Sequence, residues 1–145
     1  MKKSEVFIPS ADGKNKLHTV IWEPDKEYPR AVLQIVHGMS EYVERYNDFA
    51  SFLTQNGFAV IGNDHLGHGK SAKSDDDLGF FASNNGDKIV IKDLYSVLLF
   101  AKDKWQGVPV FILGHSMGSF FVRQFITEYS KELNGAIVMG TGFIP

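Results

Sequence analysis

The sequence predicts an α/β fold, with a mostly parallel β-sheet, helices on both faces and an antiparallel hairpin at its start. Three observations lead to this prediction. An Asp12-Gly13 turn joins two β-rich runs, almost continuously apolar runs of strand length follow, and segments with helical periodicity alternate with those runs. Strands that alternate with helices imply right-handed crossovers, so the central strands should pair in parallel.

The first three strands have different patterns. Ser4 to Ile8 and Lys16 to Glu23 flank the Asp12-Gly13 turn and should pair antiparallel, because this dipeptide is typical of tight hairpins. The third run, Ala31 to Val36, is almost entirely apolar. Such a strand is expected at the centre of a sheet that is covered on both faces.

Helices and strands then alternate along the chain. A first helix should end at Asn56-Gly57, and a strand should follow it from Phe58 to Asp64. A second, longer helix carries apolar residues at spacings of three and four. The predicted apolar faces are Tyr46, Phe49, Phe52 and Leu53 for the first helix, and Val90, Leu94, Val97, Leu98, Ala101 and Trp105 for the second. The last predicted elements are a strand over Val110 to Leu113, a helix over Met117 to Tyr129 and a strand over Gly135 to Gly140.

The composition excludes several classes of protein. A chain of 145 residues, with 43% hydrophobic and 22% charged residues and a net charge of -2, is typical of one globular domain and has no basic excess for nucleic acid. The absence of cysteine excludes disulfides and thiolate metal sites. Ser4 and Glu5 stand where a signal peptide would have its apolar region, and no run is long enough for a membrane span. We therefore expect a cytoplasmic protein.

One short motif indicates nucleophilic chemistry. Gly114-His115-Ser116-Met117-Gly118 follows a predicted strand and precedes a predicted helix, which is the setting of a nucleophile elbow. Flanking glycines suit such a turn, because a Cβ atom at either position would collide with the neighbouring strand and helix. The alternative is an ordinary strand-to-helix turn in which Ser116 caps the helix.

A second loop supports the interpretation as a catalytic site. His37-Gly38-Met39 follows the buried strand Ala31 to Val36, and in a parallel sheet its position is at the same edge as Ser116. The main-chain N–H groups of Met39 and Met117 would then form an oxyanion hole. The start of the helix at Met117 adds the positive end of a helix dipole.

Three motifs in this order, HGMSEYVERY (37–46), NDHLGHGKS (63–71) and GHSMG (114–118), resemble the α/β-hydrolase serine enzymes of the monoacylglycerol lipase and lysophospholipase type. The resemblance implies the α/β-hydrolase fold, Ser116 as nucleophile, the Met39 and Met117 amides as oxyanion hole, and a lipid-like ester as substrate without a cofactor. The supporting residues of the elbow and the oxyanion loop are then His37, Gly38, Gly114, His115 and Gly118. Tyr42 and Ser119 depart from the family pattern, in which histidine and glycine are common.

The base that serine needs is not recognisable. No histidine and no aspartate follows Ser116, and the later acids Glu128 and Glu132 are predicted to be solvated helix residues. The resemblance places the acid and the histidine of the triad, the lid and the last strands beyond Pro145. We therefore expect residues 1–145 to be the amino-terminal portion of a single α/β-hydrolase domain, with the triad acid and histidine outside this chain.

Other interpretations remain open from the sequence. His65 and His68, with Asp64, are expected to hold their loop by hydrogen bonds. The alternatives are that these three residues bind a metal, or that one of the two histidines serves as a substitute base. His18 is expected to be a surface or half-buried residue. The alternatives to an ester hydrolase are that the chain is a catalytically inactive fragment or binding module that lacks the base, or that the protein is an aminopeptidase or acyltransferase on the same fold.

Overall fold

A computed structural model describes residues 1–26 and 28–143 of the chain, and its elements agree with the sequence prediction. The strands are β1 (Lys2–Pro9), β2 (Lys16–Glu23), β3 (Ala31–Val36), β4 (Phe58–Asn63), β5 (Val110–His115) and β6 (Gly135–Met139), and the helices are α1 (Asn47–Gln55), α2 (Gly86–Lys104) and α3 (Met117–Tyr129). Short 3₁₀ turns lie at Val43–Tyr46, Gly69–Ser71, Asp75–Asp77 and Ser130–Glu132.

The six strands of the described residues form one sheet in the order β1-β2-β4-β3-β5-β6. β1 pairs antiparallel with β2, as the Asp12-Gly13 turn predicted, and Gly13 adopts a φ of 74° in that turn. β2 also pairs antiparallel with β4, whereas the pairs β3 with β4, β3 with β5 and β5 with β6 are parallel. The carboxyl ends of β3 and β5 therefore lie side by side, with Val36 opposite Gly114.

The sheet separates two hydrophobic cores, because successive side chains of a strand point to opposite faces. On one face α2 and α3 pack against alternate residues of β3, β4 and β5, and on the other face α1 covers the remaining ones. The predicted apolar face of α2 is buried throughout, from Val90 to Trp105. The two layers of helices complete the α/β fold that the sequence predicted.

The prediction of the apolar face of α1 is partly wrong. Phe49 and Phe52 are 39% and 60% exposed, whereas Ala50 is fully buried. Tyr46 and Leu53 pack against the core together with Ala50, at helical spacings of four and three. The sheet presents Trp22 at this place, so a small residue lets the helix approach closely and the larger phenylalanines turn outward.

His18 is also buried, contrary to the expectation of a surface or half-buried residue. It lies in β2, which has neighbours on both sides, and its exposure is 0%. Its Nδ1 is 2.8 Å from Oδ2 of Asp64 and its Nε2 is 2.7 Å from Oε2 of Glu5. Each ring nitrogen of His18 therefore has a carboxylate partner, so the buried polar group is satisfied.

The other edge of the sheet is apolar and open in the described part of the chain. β6 pairs with β5, and Ile137, Val138 and Met139 are between 37% and 48% exposed. Among the helices of residues 1–26 and 28–143, none has the length and hydropathy that crossing a bilayer requires.

Candidate active site

Ser116 lies between β5 and α3, in a backbone conformation that few residues other than glycine adopt. Its φ is 54° and its ψ is -121°. Such a conformation costs about 1–3 kcal/mol and persists only where surrounding contacts impose it. The Ser116 N–H donates to the carbonyl of Met139 at 3.0 Å, and the residue is exposed. The turn thus presents Ser116 at the surface at the end of the sheet.

The hydroxyl of Ser116 does not cap the helix that follows. Ser116 occupies the capping position of α3, but its side chain makes no capping hydrogen bond. Instead, the N–H and the hydroxyl of Ser119 donate to the carbonyl oxygen of Ser116, at 2.9 and 2.5 Å. The capping-serine alternative therefore finds no support in the contacts of the turn.

Both glycines of the elbow lie where no side chain fits. A Cβ atom at Gly114 would be 2.3 Å from the carbonyl oxygen of Gly118, and one at Gly118 would be 2.1 Å from that of Val36. The first contact joins β5 to α3, and the second joins α3 to the end of β3. The sharp turn thus depends on close approach of three backbone segments, as the glycine pattern predicted.

The loop after β3 packs directly on the elbow. A Cβ atom at Gly38 would be 3.1 Å from Cβ of Ser116 and 3.2 Å from the carbonyl oxygen of His115. Met39 and Met117 line the same cavity of about 420 Å³. Within residues 1–26 and 28–143, neither the Met39 N–H nor the Met117 N–H has a hydrogen-bond acceptor. Two unused donors therefore stand beside one cavity.

The wall of this cavity is largely apolar. Tyr42 and Leu78, which are 49% and 60% exposed, stand at its open side, and Phe81 and His68 line it further in. His68 stacks on Phe81 with ring centroids 5.5 Å apart. A cavity of this kind suits an apolar group placed next to hydrogen-bond donors.

Comparison with known proteins identifies the family of the chain. Residues 27–145 match the family described as serine aminopeptidase S33 (Hydrolase_4). The chain belongs to this family. A human monoglyceride lipase is 32% identical over 142 residues, which cover 91% of this chain and 41% of that protein. A monoglyceride lipase homolog of monkeypox virus is 35% identical over 105 residues, covering 68% of this chain and 33% of that protein.

A solved structure confirms the fold of this member of the Hydrolase_4 family. A thermostable carboxyl esterase of Bacillus coagulans superposes with a TM-score of 0.86 at 29% identity, over 94% of this chain and 43% of the esterase. The α/β-hydrolase fold predicted from the sequence is therefore confirmed. The chain spans less than half of the length of each of these relatives.

Three histidines of this Hydrolase_4 chain form a buried cluster behind the cavity. The rings of His37 and His65 are 4.0 Å apart, and those of His37 and His68 are 5.3 Å apart. His65 N–H donates to Nε2 of His37 at 3.0 Å, and His68 Nδ1 bonds the carbonyl of Leu66 at 3.0 Å. These contacts give the histidines the structural role that was expected of His65 and His68.

Asp64 joins the loops around the site. Its Oδ1 accepts the N–H of Val43 at 2.7 Å, and its Oδ2 accepts the N–H of Lys70 at 2.9 Å and the His18 ring at 2.8 Å. A Cβ atom at Gly69 would be 2.2 Å from the same Oδ2, so the loop needs glycine there. The oxygens of Asp64 are thus occupied by backbone and ring donors.

The contacts do not favour a metal site on Asp64, His65 and His68. In the described ranges, the one group whose potential ligand atoms converge within 4.8 Å is Glu5, His18 and Glu44. The ammonium of Lys70 lies 3.0 Å from Glu5 and 3.2 Å from Glu44, and Lys3 also pairs with Glu44, so two cations of the chain already balance the two carboxylates. The hydrogen bonds from Lys70 and His18 lower the pKa of Glu5 to about 2.

Burial makes the fold sensitive to acid. Burial lowers the pKa of His37 to about 4, and it lowers the pKa of His65 well below its usual value of 6.5. As the pH falls from 6.5 towards 4, the unfolded chain takes up a proton at each histidine before the folded chain does. His37 alone then reduces the free energy of unfolding by about 3 kcal/mol.

Asp93 of α2 has the opposite effect on how the stability of the fold changes with pH. Burial raises its pKa to about 6, although the N–H of Ala11 and the hydroxyl of Ser10 donate to it at 2.7 and 3.0 Å. Since the folded chain takes up this proton at a higher pH than the unfolded chain, acid stabilises the fold through Asp93 between about pH 6 and pH 3.8. Proton uptake by Asp93 adds about 3 kcal/mol to the free energy of unfolding over this pH range.

We expect Asp93→Asn to steepen the loss of stability on acidification, because it removes the opposing proton uptake. Between about pH 6 and pH 4 the free energy of unfolding, measured by urea denaturation, should fall by up to about 3 kcal/mol more in the variant than in the wild type. Asp103→Asn changes an exposed aspartate of the same helix and should leave the slope unchanged. Equal slopes for the wild type and Asp93→Asn would contradict the raised pKa.

Proposed function

We propose that the protein is a serine hydrolase that cleaves lipid-like carboxylic esters, of the monoacylglycerol or lysophospholipid type, through an acyl-enzyme at Ser116. The observation that carries this proposal is the strained turn that exposes Ser116 and packs against Gly38, next to the cavity that Met39 and Met117 line. The family match and the lipase and esterase names of the relatives support it. The apolar wall with Leu78 and Phe81 suits the hydrocarbon part of such an ester.

The proposed reaction has two steps. The Ser116 hydroxyl attacks the ester carbonyl while a base takes its proton, and the Met39 and Met117 N–H groups stabilise the negative charge on the carbonyl oxygen. The alcohol leaves with a proton, and the acyl group remains on Ser116. Water then attacks this acyl-enzyme with the help of the same base, which releases the acid and restores the serine.

We propose that residues 1–145 form the amino-terminal portion of the hydrolase domain and that the base and the triad acid lie outside them. Each of the five histidines has a ring nitrogen in contact with a carboxylate or a backbone group. The chain has no histidine after His115. The cytoplasmic location expected from the sequence stays a prediction.

Labelling of Ser116 tests the nucleophile. At the natural length of the protein, a fluorophosphonate should modify Ser116, and Ser116→Ala should abolish labelling and reduce ester hydrolysis on the order of 10³-fold or more. Rates with a monoacylglycerol, a lysophospholipid and an aminoacyl amide separate a lipid esterase from an aminopeptidase. Absence of labelling at Ser116 in folded protein would refute the nucleophile assignment.

A second candidate is that residues 1–145 alone bind esters without efficient turnover. Burial favours it, because His18, His37 and His65 are at most 1% exposed and do not line the cavity. His68 is the one histidine that lines the cavity. Hydrolysis by the 145-residue chain at enzyme-like rates that are lost in His68→Ala would refute this candidate.

A further inference from the structure

We infer that Glu41 is a positioning residue that sets the distance between the Met39 amide and Ser116. The inference rests on the proposed function, in which these two groups act on one carbonyl. Glu41 has no distinctive pattern in the sequence, because it is an acidic residue in a polar loop. Its importance follows from what its carboxylate contacts in the folded chain.

A single carboxylate contacts the residue before each of the two site residues. Oε2 of Glu41 accepts the N–H of Gly38 at 2.9 Å, and Gly38 precedes Met39. Oε1 of Glu41 is 3.2 Å from Nδ1 of His115, which precedes Ser116. Because the Glu41 side chain is only 10% exposed, this bridge is shielded from water and salt. The oxyanion loop and the elbow are thereby joined through one side chain.

The bridge requires a negatively charged acceptor. The hydroxyl of Tyr46 and the guanidinium of Arg45 also donate to Glu41, at 3.0 and 3.2 Å. Burial opposes ionisation, but the hydrogen bonds from Gly38, Tyr46 and His115 prevail and lower the pKa of Glu41. A carboxylate offers two acceptor oxygens, whereas a glutamine would turn an N–H₂ group towards some of these donors.

The loop needs such an anchor because its backbone is strained. Ser40, between Met39 and Glu41, has a φ of 56°, a region that residues with a Cβ atom avoid. Gly38 already lies against the elbow at the limit of close packing. Release of the strain at Ser40 would move the Met39 amide, and a displacement of about 1 Å in a site of this kind reduces rates about 10²-fold.

Glu41 does not itself fit the role of the missing base. Its lowered pKa makes it a weak proton acceptor at neutral pH, and its oxygens are already used by the four donors. Its effect on the reaction is therefore indirect. It keeps the Gly38-Met39 segment and the His115-Ser116 segment in one arrangement.

The isosteric variant Glu41→Gln tests the inference in the natural-length protein. The second-order rate constant for modification of Ser116 by a fluorophosphonate should fall about 10- to 100-fold per folded molecule. Hydrogen exchange of the peptide over residues 37–46 should become faster. Glu44→Gln is the matched control, because Glu44 lies in the same loop but pairs with Lys3 and Lys70 away from the elbow. It should change the rate constant less than about twofold.

Failure of the inference can be distinguished from failure of the proposed function. An unchanged rate constant per folded molecule in Glu41→Gln, with unchanged exchange of the peptide, would overturn the inference, as would an equal effect of Glu44→Gln. If Ser116 of the wild type is not labelled, the proposed function fails and the exchange data alone decide the role of Glu41. Should Glu41→Gln fail to fold, His115→Phe removes only the link to the elbow and should reduce the rate constant in the same way.

Discussion

Gly118→Ala should destabilise the fold by at least about 3 kcal/mol, although helix propensity alone favours alanine over glycine by about 1 kcal/mol. Gly118 lies in the first turn of α3, and its new methyl group would be 2.1 Å from the carbonyl oxygen of Val36 and 2.6 Å from that of His37. Both are backbone atoms at the end of the central strand β3, which is paired on both sides. Neither carbonyl oxygen has room to move. The substitution should therefore destabilise the fold, although helix propensity alone would make it stabilising.

Urea denaturation of the variant and the wild type measures this effect. Gly142→Ala is a suitable control, because its methyl group would have only an ordinary contact of 3.5 Å with Phe120. That substitution should change the free energy of unfolding by less than about 0.5 kcal/mol. A Gly118→Ala variant as stable as the wild type would show that α3 and β3 are further apart than described.

Asp64→Asn should reduce the free energy of unfolding by about 3–5 kcal/mol, because it breaks a buried charged network. The carboxylate is 3% exposed and receives hydrogens on both oxygens, from Val43, Lys70 and His18. An amide has one acceptor oxygen, so at least one of these donors loses its partner whichever way the amide is turned. The buried His18 ring also loses one of its two carboxylates.

A double-mutant cycle with His18→Gln separates the two parts of this effect. If the Asp64 and His18 side chains interact as described, their coupling energy should be between about 0.5 and 3 kcal/mol. Asp75→Asn removes a charge from an exposed 3₁₀ turn and serves as control, with an expected change below about 0.5 kcal/mol. Additive effects of the two substitutions would contradict a direct bond between Asp64 and His18.

Both substitutions act on the segments that carry the candidate site. Gly118 packs α3 against the end of β3, and Asp64 holds Val43, just beyond the loop that contains Met39 and Glu41. The elbow therefore packs against this loop at Gly38, and Asp64 binds the backbone at its other end, at Val43. This arrangement explains how a strained serine and a strained loop residue persist together in one site.

Local patterns predicted the elements because each pattern reflects a local cause. The Asp12-Gly13 turn, the apolar run of β3 and the spacing of three and four in α2 all appear in the structure where they were expected. The face of α1 was not predictable in the same way. Which of its residues turn inward depends on the shape of the sheet at Trp22, and that shape is set by residues distant in sequence.

The candidate site was predictable to a similar degree. The glycine pattern around Ser116 correctly indicated a turn into which no Cβ atom fits, since that constraint lies within five consecutive residues. The hydrogen bond of Asp64 to the Lys70 N–H within its own loop was expected, whereas its bonds to Val43 and His18 and the role of Glu41 were not apparent. His18 and Asp64 are 46 positions apart, and Glu41 and His115 are 74 positions apart, so no spacing in the sequence relates them.

The sequence by itself determined the order of strands and helices, the tight turns and the motif that contains Ser116, because hydrophobic periodicity and glycine conformations act over a few residues. The tertiary structure alone decided that the loop after β3 rests on the elbow and that one carboxylate links them. The physical reason is that burial and charge pairing depend on which segments the sheet brings together, and the parallel pairing of β3 with β5 does so for residues far apart in the chain.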